Sequence, residues 1–223
     1  MSGLVRLVAA LAVLAAVAQW AGPQWLAAAV AQALASENAG YRPAVAITAV
    51  PFWMLLYGHF QTVVVDAAPL VVDQFRVRRA LLVWQDGTVS VPALLEHRLV
   101  VQSPGHITVR LTVSDQDLSR FLQANAPLKN PEVHIEPGGV NLAATVALKG
   151  MVVPLDLTGQ LRLAPDGEAV WFLPAQVDGI PLPVPTALTV FDLHRLHPWV
   201  PMRLAQLTLG PGQLELTAVS TAG

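Results

Sequence analysis

The sequence predicts an α+β chain that is mainly β: a curved antiparallel sheet wrapping one or two helices, preceded by an N-terminal hydrophobic signal or anchor helix. Three observations carry that expectation. A neutral apolar run follows Arg6. Beyond Tyr41, short segments rich in β-formers are broken by Gly and Pro at about ten-residue spacing, the texture of an antiparallel meander. Val140, Leu142, Ala144, Val146 and Leu148 alternate with polar Asn141, Thr145 and Lys149. Such a strand has one greasy face and one polar face and belongs to a sheet covered on one side. With few helices to cover so many strands, the sheet must curl around its own helices or around a guest.

The N-terminal element sets the expected compartment. Arg6, the apolar run Leu7 to Trp20 and the absence of further charge before Glu37 read as the n- and h-regions of an export signal. Ala16-Val17-Ala18 offers a cleavage site, with Ala33-Leu34-Ala35 as a second. As a helix, Leu4 to Trp20 would span about 25 Å, slightly short of a ~30 Å hydrocarbon core. A cleaved signal peptide and an uncleaved anchor therefore both stay open for residues 1–21. Either way Arg6 stays in the cytoplasm and the rest is expected outside, secreted or anchored to the outer face of the cytoplasmic membrane. Pro23 to Ser36 then reads as an Ala-rich helix with Leu26, Val30 and Leu34 on one face and Gly40 just past its end.

The following elements take their bounds from the Gly and Pro punctuation. Strands are expected over Ala44 to Val50, Phe60 to Ala67 and Arg76 to Trp84, the last closed by an Asp86-Gly87 turn. Between the first two, PFWMLLYG (Pro51 to Gly58) reads as a short apolar turn of helix or a loop. Arg98 to Gln102 and Ile107 to Val113 follow, hinged at Pro104-Gly105. The clearest helix comes next: Ser114 caps it, Asp117 stands at the fourth place of a capping box, Leu118, Phe121 and Leu122 form one face, and Pro127 ends it. Further strands run over Glu132 to Glu136, Val140 to Lys149, Met151 to Leu157, Leu161 to Leu163 after Gly159, Ala169 to Leu173, Leu204 to Leu209 and Leu214 to Val219.

Composition narrows the function. Apolar residues make up 54% of the 223 and charged residues 13%, against about 45–50% and about 25% in ordinary soluble domains. The deficit persists beyond the N-terminal run, since Ala44 to Trp84 carries only Asp66, Asp73, Arg76, Arg78 and Arg79. Either the core is very large or apolar side chains line a cavity. Net charge is −2 with scattered Lys and Arg, so no nucleic-acid footprint is present. Arg76, Arg78 and Arg79 are the only basic cluster, and a solvated strand face is favoured over a headgroup contact. Without cysteine there is no thiol chemistry and no disulfide framework.

If a cavity exists, its expected lining is Phe52, Leu55, Leu56, Phe60, Leu118, Phe121, Leu122, Leu142, Val146, Val153 and Leu155. Taken singly, each is accounted for by core packing; only the collective excess argues for a cavity. Glu132, His134 and Glu136 share a strand face at metal-ligand spacing, but a solvated face opposite Val133 and Ile135 is the favoured account. Asp192, His194 and His197 lack the four-residue spacing and glutamate of a zinc helix. Neither a Gly-x-Ser-x-Gly elbow nor a phosphate-cradling loop occurs. The expectation is therefore a chain without catalytic residues, metal or cofactor. For Trp53, Tyr57 and Trp199, anchoring at a membrane interface and core burial both stay open.

Several motifs together resemble one family. Pro51, Phe52, Leu55, Leu56 and Gly58 precede a strand with alternating Val63 and Val65. The acidic helix start Ser114-Asp115-Gln116-Asp117-Leu118, the hairpin Pro137 to Gly139, Pro181-Leu182-Pro183 and the late strand Leu207 to Leu209 follow. From Pro23 to Val219 this resembles the LmeA-like phospholipid-binding family of bacterial envelope proteins. The resemblance implies a fold similar to tubular lipid-binding domains over residues 22–223, and an activity of holding or transferring phospholipid outside the cytoplasmic membrane. It brings no catalytic residues with it. The implied partners are a phospholipid or other acyl lipid and the bacterial cytoplasmic membrane, with an envelope protein as a further possibility. A non-catalytic envelope scaffold docking a partner through its sheet is the alternative, and a metal-dependent hydrolase the remote one.

Overall fold

The computed structural model describes residues 24, 27–28, 31–32, 40–72, 75–95, 100–125, 128–148, 151–183, 187–193 and 200–221. The signal or anchor segment, its cleavage sites, Leu26, Val30, Leu34, Pro127, His194, His197 and Trp199 lie outside these residues, as does the side chain of Phe52. Among the described residues no helix is long and apolar enough to cross a membrane. The fold is mainly β with antiparallel pairing throughout the registered strands, as expected.

The chain forms two compact units. The first takes residues up to Asp66, Leu82–Ile107 and the terminal Gly223; the second takes Ala67–Leu81 and Thr108–Ala222.

In the first unit, β1 (Ala44–Thr48) pairs with β2 (His59–Ala67). β2 pairs in turn with β5 (Arg79–Val89), of which residues 82–89 belong to this unit and which carries the short β6 (Val101–Ser103). The apolar Phe52–Tyr57 forms a six-residue 3-10 turn between β1 and β2. Gly58 ends it with φ +79, and a Cβ there would collide with the Val89 carbonyl, so only glycine fits. The Gly58 carbonyl accepts the Val89 N–H at 3.0 Å. A short helix, α1 (Val91–Leu95), follows β5. Residues 24, 27, 28, 31 and 32 are helical, with Ala27 and Ala31 buried and Gln24 and Gln32 exposed.

β5 corrects the expected Asp86-Gly87 turn, because the strand runs through both residues to Val89. Asp86 sits at φ +52, and Gly87 leaves room for the rings of Phe60 and Trp84. Those rings pack edge to face at 4.6 Å, and the Trp84 indole donates to the Pro104 carbonyl at 2.6 Å. The Asp-Gly pair is a local distortion that admits an aromatic pair.

The second unit opens with a hairpin, β3 (Leu70–Val72) and β4 (Phe75–Val77). Its first sheet orders β7 (His106–Ser114), β15 (Gln213–Ser220) and β14 (Met202–Gly210). Its second runs from β8 (Lys129–Glu136) through β9 (Gly139–Leu148) and β10 (Met151–Leu163) to β11 (Ala169–Val177). β11 also carries β12 (Ile180–Pro181) and β13 (Leu188–Asp192). The sequence predicts a break at Gly159; β10 instead continues through it with a register shift at Thr158/Gly159. Glycine is needed there because a Cβ would meet the Leu173 carbonyl and the Phe172 ring. One core joins both sheets, with Val113, Val133, Ile135, Leu161, Phe172 and Leu216 among its buried members.

Candidate functional site

The helix α2 (Asp115–Asn125) organises the second unit. Ser114 caps it as expected: its Oγ accepts the Asp117 N–H at 3.1 Å and donates to Asp117 Oδ2 at 2.7 Å. The tip of the β14–β15 hairpin joins this cap, since the Asp115 N–H donates to the Gly212 carbonyl and the Gly212 N–H to the Ile135 carbonyl. Ser119 then ties helix to sheet, its Oγ donating to the Asp115 carbonyl at 2.8 Å and accepting the Val133 N–H at 2.9 Å. Cap, hairpin and β8 thus hold one face of α2 over the core.

Beneath that face lies an apolar pocket. Leu118, 7% exposed, and half-buried Phe121 descend from the helix. Buried Val113 and Leu214, cross-strand partners in β7 and β15, meet them from one sheet, together with Leu216. The other sheet supplies Leu161 and the cross-strand pair Val170 and Phe191, with Val190 beside it. Phe121, Val190 and Phe191 are the half-buried members. The pocket has a volume of about 20 Å³, room for about one water-sized sphere. The sequence expects a cavity that admits a fatty tail; in this conformation side chains fill nearly all of that space.

The structure distributes the expected lining residues over both units. In the second, Leu118 and Phe121 line the pocket, while Leu122, Leu142 and Leu155 are half-buried and pack against the same core from outside it. Val146 and Val153 are cross-strand partners outside that core, Val153 being 38% exposed. In the first unit Phe60 is buried against Trp84, Leu55 is half-buried and Leu56 is 69% exposed. Phe52 begins the 3-10 turn. The seven further pocket residues come from strands. Val113, in a strand that alternates through Ile107, Val109 and Leu111, and Leu214 and Leu216, in one that alternates through Ala218, show an inward face in sequence; sheet register brings them together with the others.

At the N-terminal end of α2 the same unit carries an open polar cleft of about 520 Å³. Its lining includes Arg76, Arg78, Ser114, Asp115, Asp117 and Arg120. Asp117, 8% exposed, is the one charged side chain buried among the described residues. It forms an ion pair with Arg120 Nη1 at 3.2 Å. Asp115 Oδ1 accepts the Gln116 N–H at 2.7 Å.

Glu132, His134 and Glu136 are exposed on β8, opposite buried Val133 and Ile135, in agreement with a solvated strand face. No group of metal-ligating side chains occurs among the described residues.

An antiparallel, mainly β chain with an apolar interior beneath one helix, and a charged rim at that helix's start, has the makings of a binding protein for amphiphiles. The model of the LmeA-like phospholipid-binding family matches residues 17–222, nearly the whole chain, and the protein belongs to that family. Neither the curated proteins nor the solved structures yield a match.

Proposed function

We propose that the chain takes the acyl part of a phospholipid into the apolar interior beneath α2, and that it works outside the cytoplasmic membrane as an envelope lipid carrier or lipid-sensing accessory protein. The observation that carries this reading is the pocket itself: all nine residues that line it are apolar, in a chain of a phospholipid-binding family. A dozen sheltered methylenes would contribute on the order of 10 kcal/mol gross, before the costs of ordering. At about 20 Å³ the pocket does not hold such a chain as it stands, so loading requires the half-buried side of Phe121, Val190 and Phe191 to part. Empty apolar space is unfavourable, which makes closure of the vacant pocket the expected resting state.

The first unit suits contact with the bilayer. Its 3-10 turn shows Trp53, Leu56 and Tyr57 at 50, 69 and 77% exposure, and amphipathic rings of this kind settle at membrane interfaces. An extracytoplasmic setting is supported by the Arg6-led apolar leader and the lack of cysteine.

Native mass spectrometry of the full chain, purified from bacteria without detergent, tests the reading. A co-purified phospholipid mass is expected. A chain that emerges empty, and stays empty after incubation with phospholipid vesicles, overturns it.

A further inference from the structure

The basic cluster that reads in sequence as a solvated strand face has company in the fold. Arg76 on β4 and Arg78 just after it line the cleft at the start of α2, and Arg120 reaches it from the helix. Their charges are not equally engaged. Arg120 is paired with Asp117, and Asp117 is further occupied by the Ser114 hydroxyl. Arg76 and Arg78 are exposed, and neither side chain has an ion-pair partner among the described residues. Asp115 is the remaining carboxylate on this wall. Three guanidinium groups facing two carboxylates, one of them already paired, leave the cleft net positive and with unused donors. A guanidinium presents a planar fork of N–H donors that matches two oxygens of a phosphate.

The cleft also adjoins the apolar pocket along the chain. Val113 lines the pocket and Ser114 the cleft; Leu118 lines the pocket and Asp117 the cleft; Leu214 and Gly212 divide in the same way. Cleft and pocket thus share the start of α2 and the strand ends beside it.

Building on the lipid-binding reading, we propose that this cleft is the headgroup site. The phosphodiester oxygens are held by Arg76 and Arg78, with Arg120 kept at the rim by Asp117, while the acyl chains enter beneath α2. The required ligand chemistry is a phosphate oxyanion, which a lipid headgroup or free phosphate would both supply.

The test compares loading of the full chain, by native mass spectrometry, with dioleoyl-phosphatidylglycerol, with dioleoylglycerol and with inorganic phosphate. Wild-type protein is expected to load phosphatidylglycerol about tenfold better than dioleoylglycerol, with excess inorganic phosphate competing. Arg76→Gln with Arg78→Gln removes the preference and leaves dioleoylglycerol loading unchanged. Arg110→Gln, which removes an exposed arginine paired with Glu215 at 3.1 Å outside the cleft, keeps it. An unchanged preference in the double variant, an equal loss on both lipids, or the same loss in Arg110→Gln overturns the headgroup site but leaves lipid binding standing. Inorganic phosphate that binds through Arg76 and Arg78 without competing with lipid assigns the cleft to free phosphate, and also overturns it. Failure of wild-type protein to load either lipid removes the lipid-binding reading and this inference together.

Discussion

Two helical segments of this molecule treat their apolar side chains in opposite ways. The 3-10 turn of the first unit, Phe52–Tyr57, shows Trp53, Leu56 and Tyr57 to solvent. In the second unit, α2 turns Leu118 into the core and leaves Phe121 and Leu122 half-buried against it. The difference lies in what holds each segment. The turn is only six residues long, has no side-chain cap and is held at Gly58 by its hydrogen bond to Val89. The helix is capped by Ser114, tied to the β14–β15 hairpin and pinned to β8 through Ser119. A short turn without a side-chain cap can present its greasy residues outward, whereas a capped helix fastened along its length presses them into a core. The first arrangement suits contact with a surface, and the second suits enclosure of a guest.

The contrast is broken most directly by leucine deletions. Leu118→Ala is expected to cost about 2–5 kcal/mol, the range for a buried leucine whose site collapses only in part. Leu56→Ala, made on a side chain that is mostly in solvent, is expected to stay within about 0.5 kcal/mol of wild type. Urea denaturation of the two variants decides the point. Equal costs would mean that the turn is packed in solution, and the comparison would fall.

Gly58→Ala probes how the exposed turn is held. Alanine at φ +79 is strained and its Cβ meets the Val89 carbonyl, so a loss of about 1–3 kcal/mol is expected. If the variant is as stable as wild type, the turn does not depend on that close approach to β5.

How much of this was legible in sequence depends on whether the signal is local. The capped helix was, because Ser114, Asp117 and the Leu118–Phe121–Leu122 face all lie within three turns. β9 was too, because its inward Val140 and Ala144 and outward Asn141 follow strict alternation. Glycines misled where their reason is tertiary: Gly87 makes room for Phe60 and Trp84, and Gly159 for Phe172 and the Leu173 carbonyl, and in both places the strand continues. β12 and β13 were missed because two and five residues are too few to show a period. For the pocket, the helix residues were legible and most strand residues were not. Val113 meets Leu214, and Val170 meets Phe191, only through register between strands far apart in the chain. The cleft was half legible: Arg76 and Arg78 stood out as a basic cluster, but Arg120 joins them only through the fold.

A smaller effect sharpens the account of α2. Ser114→Ala removes both the acceptor for the Asp117 N–H and the donor to the Asp117 carboxylate, and a cost of about 1 kcal/mol is expected, as for other N-cap deletions. Urea denaturation again measures it. A variant with unchanged stability would show that the hairpin contact at Gly212 and the Ser119 tie to Val133 hold the helix without its cap.

The smallest expected change in stability belongs to the surface of the first unit, and there the informative readout is affinity. Trp53→Ser with Tyr57→Ser replaces two exposed aromatic side chains, so the free energy of unfolding in urea should change by no more than about 0.5 kcal/mol per site. Sedimentation with phosphatidylglycerol vesicles should nevertheless fall severalfold, because each ring removed takes with it apolar surface that the interface would otherwise cover. Loading of monomeric lipid should be unaffected, since the pocket beneath α2 is lined by other residues. Loss of vesicle binding with loading intact separates a surface that touches membrane from an interior that holds lipid. Undiminished vesicle binding would instead move the membrane contact away from this turn, and the outward-facing rings would need another explanation.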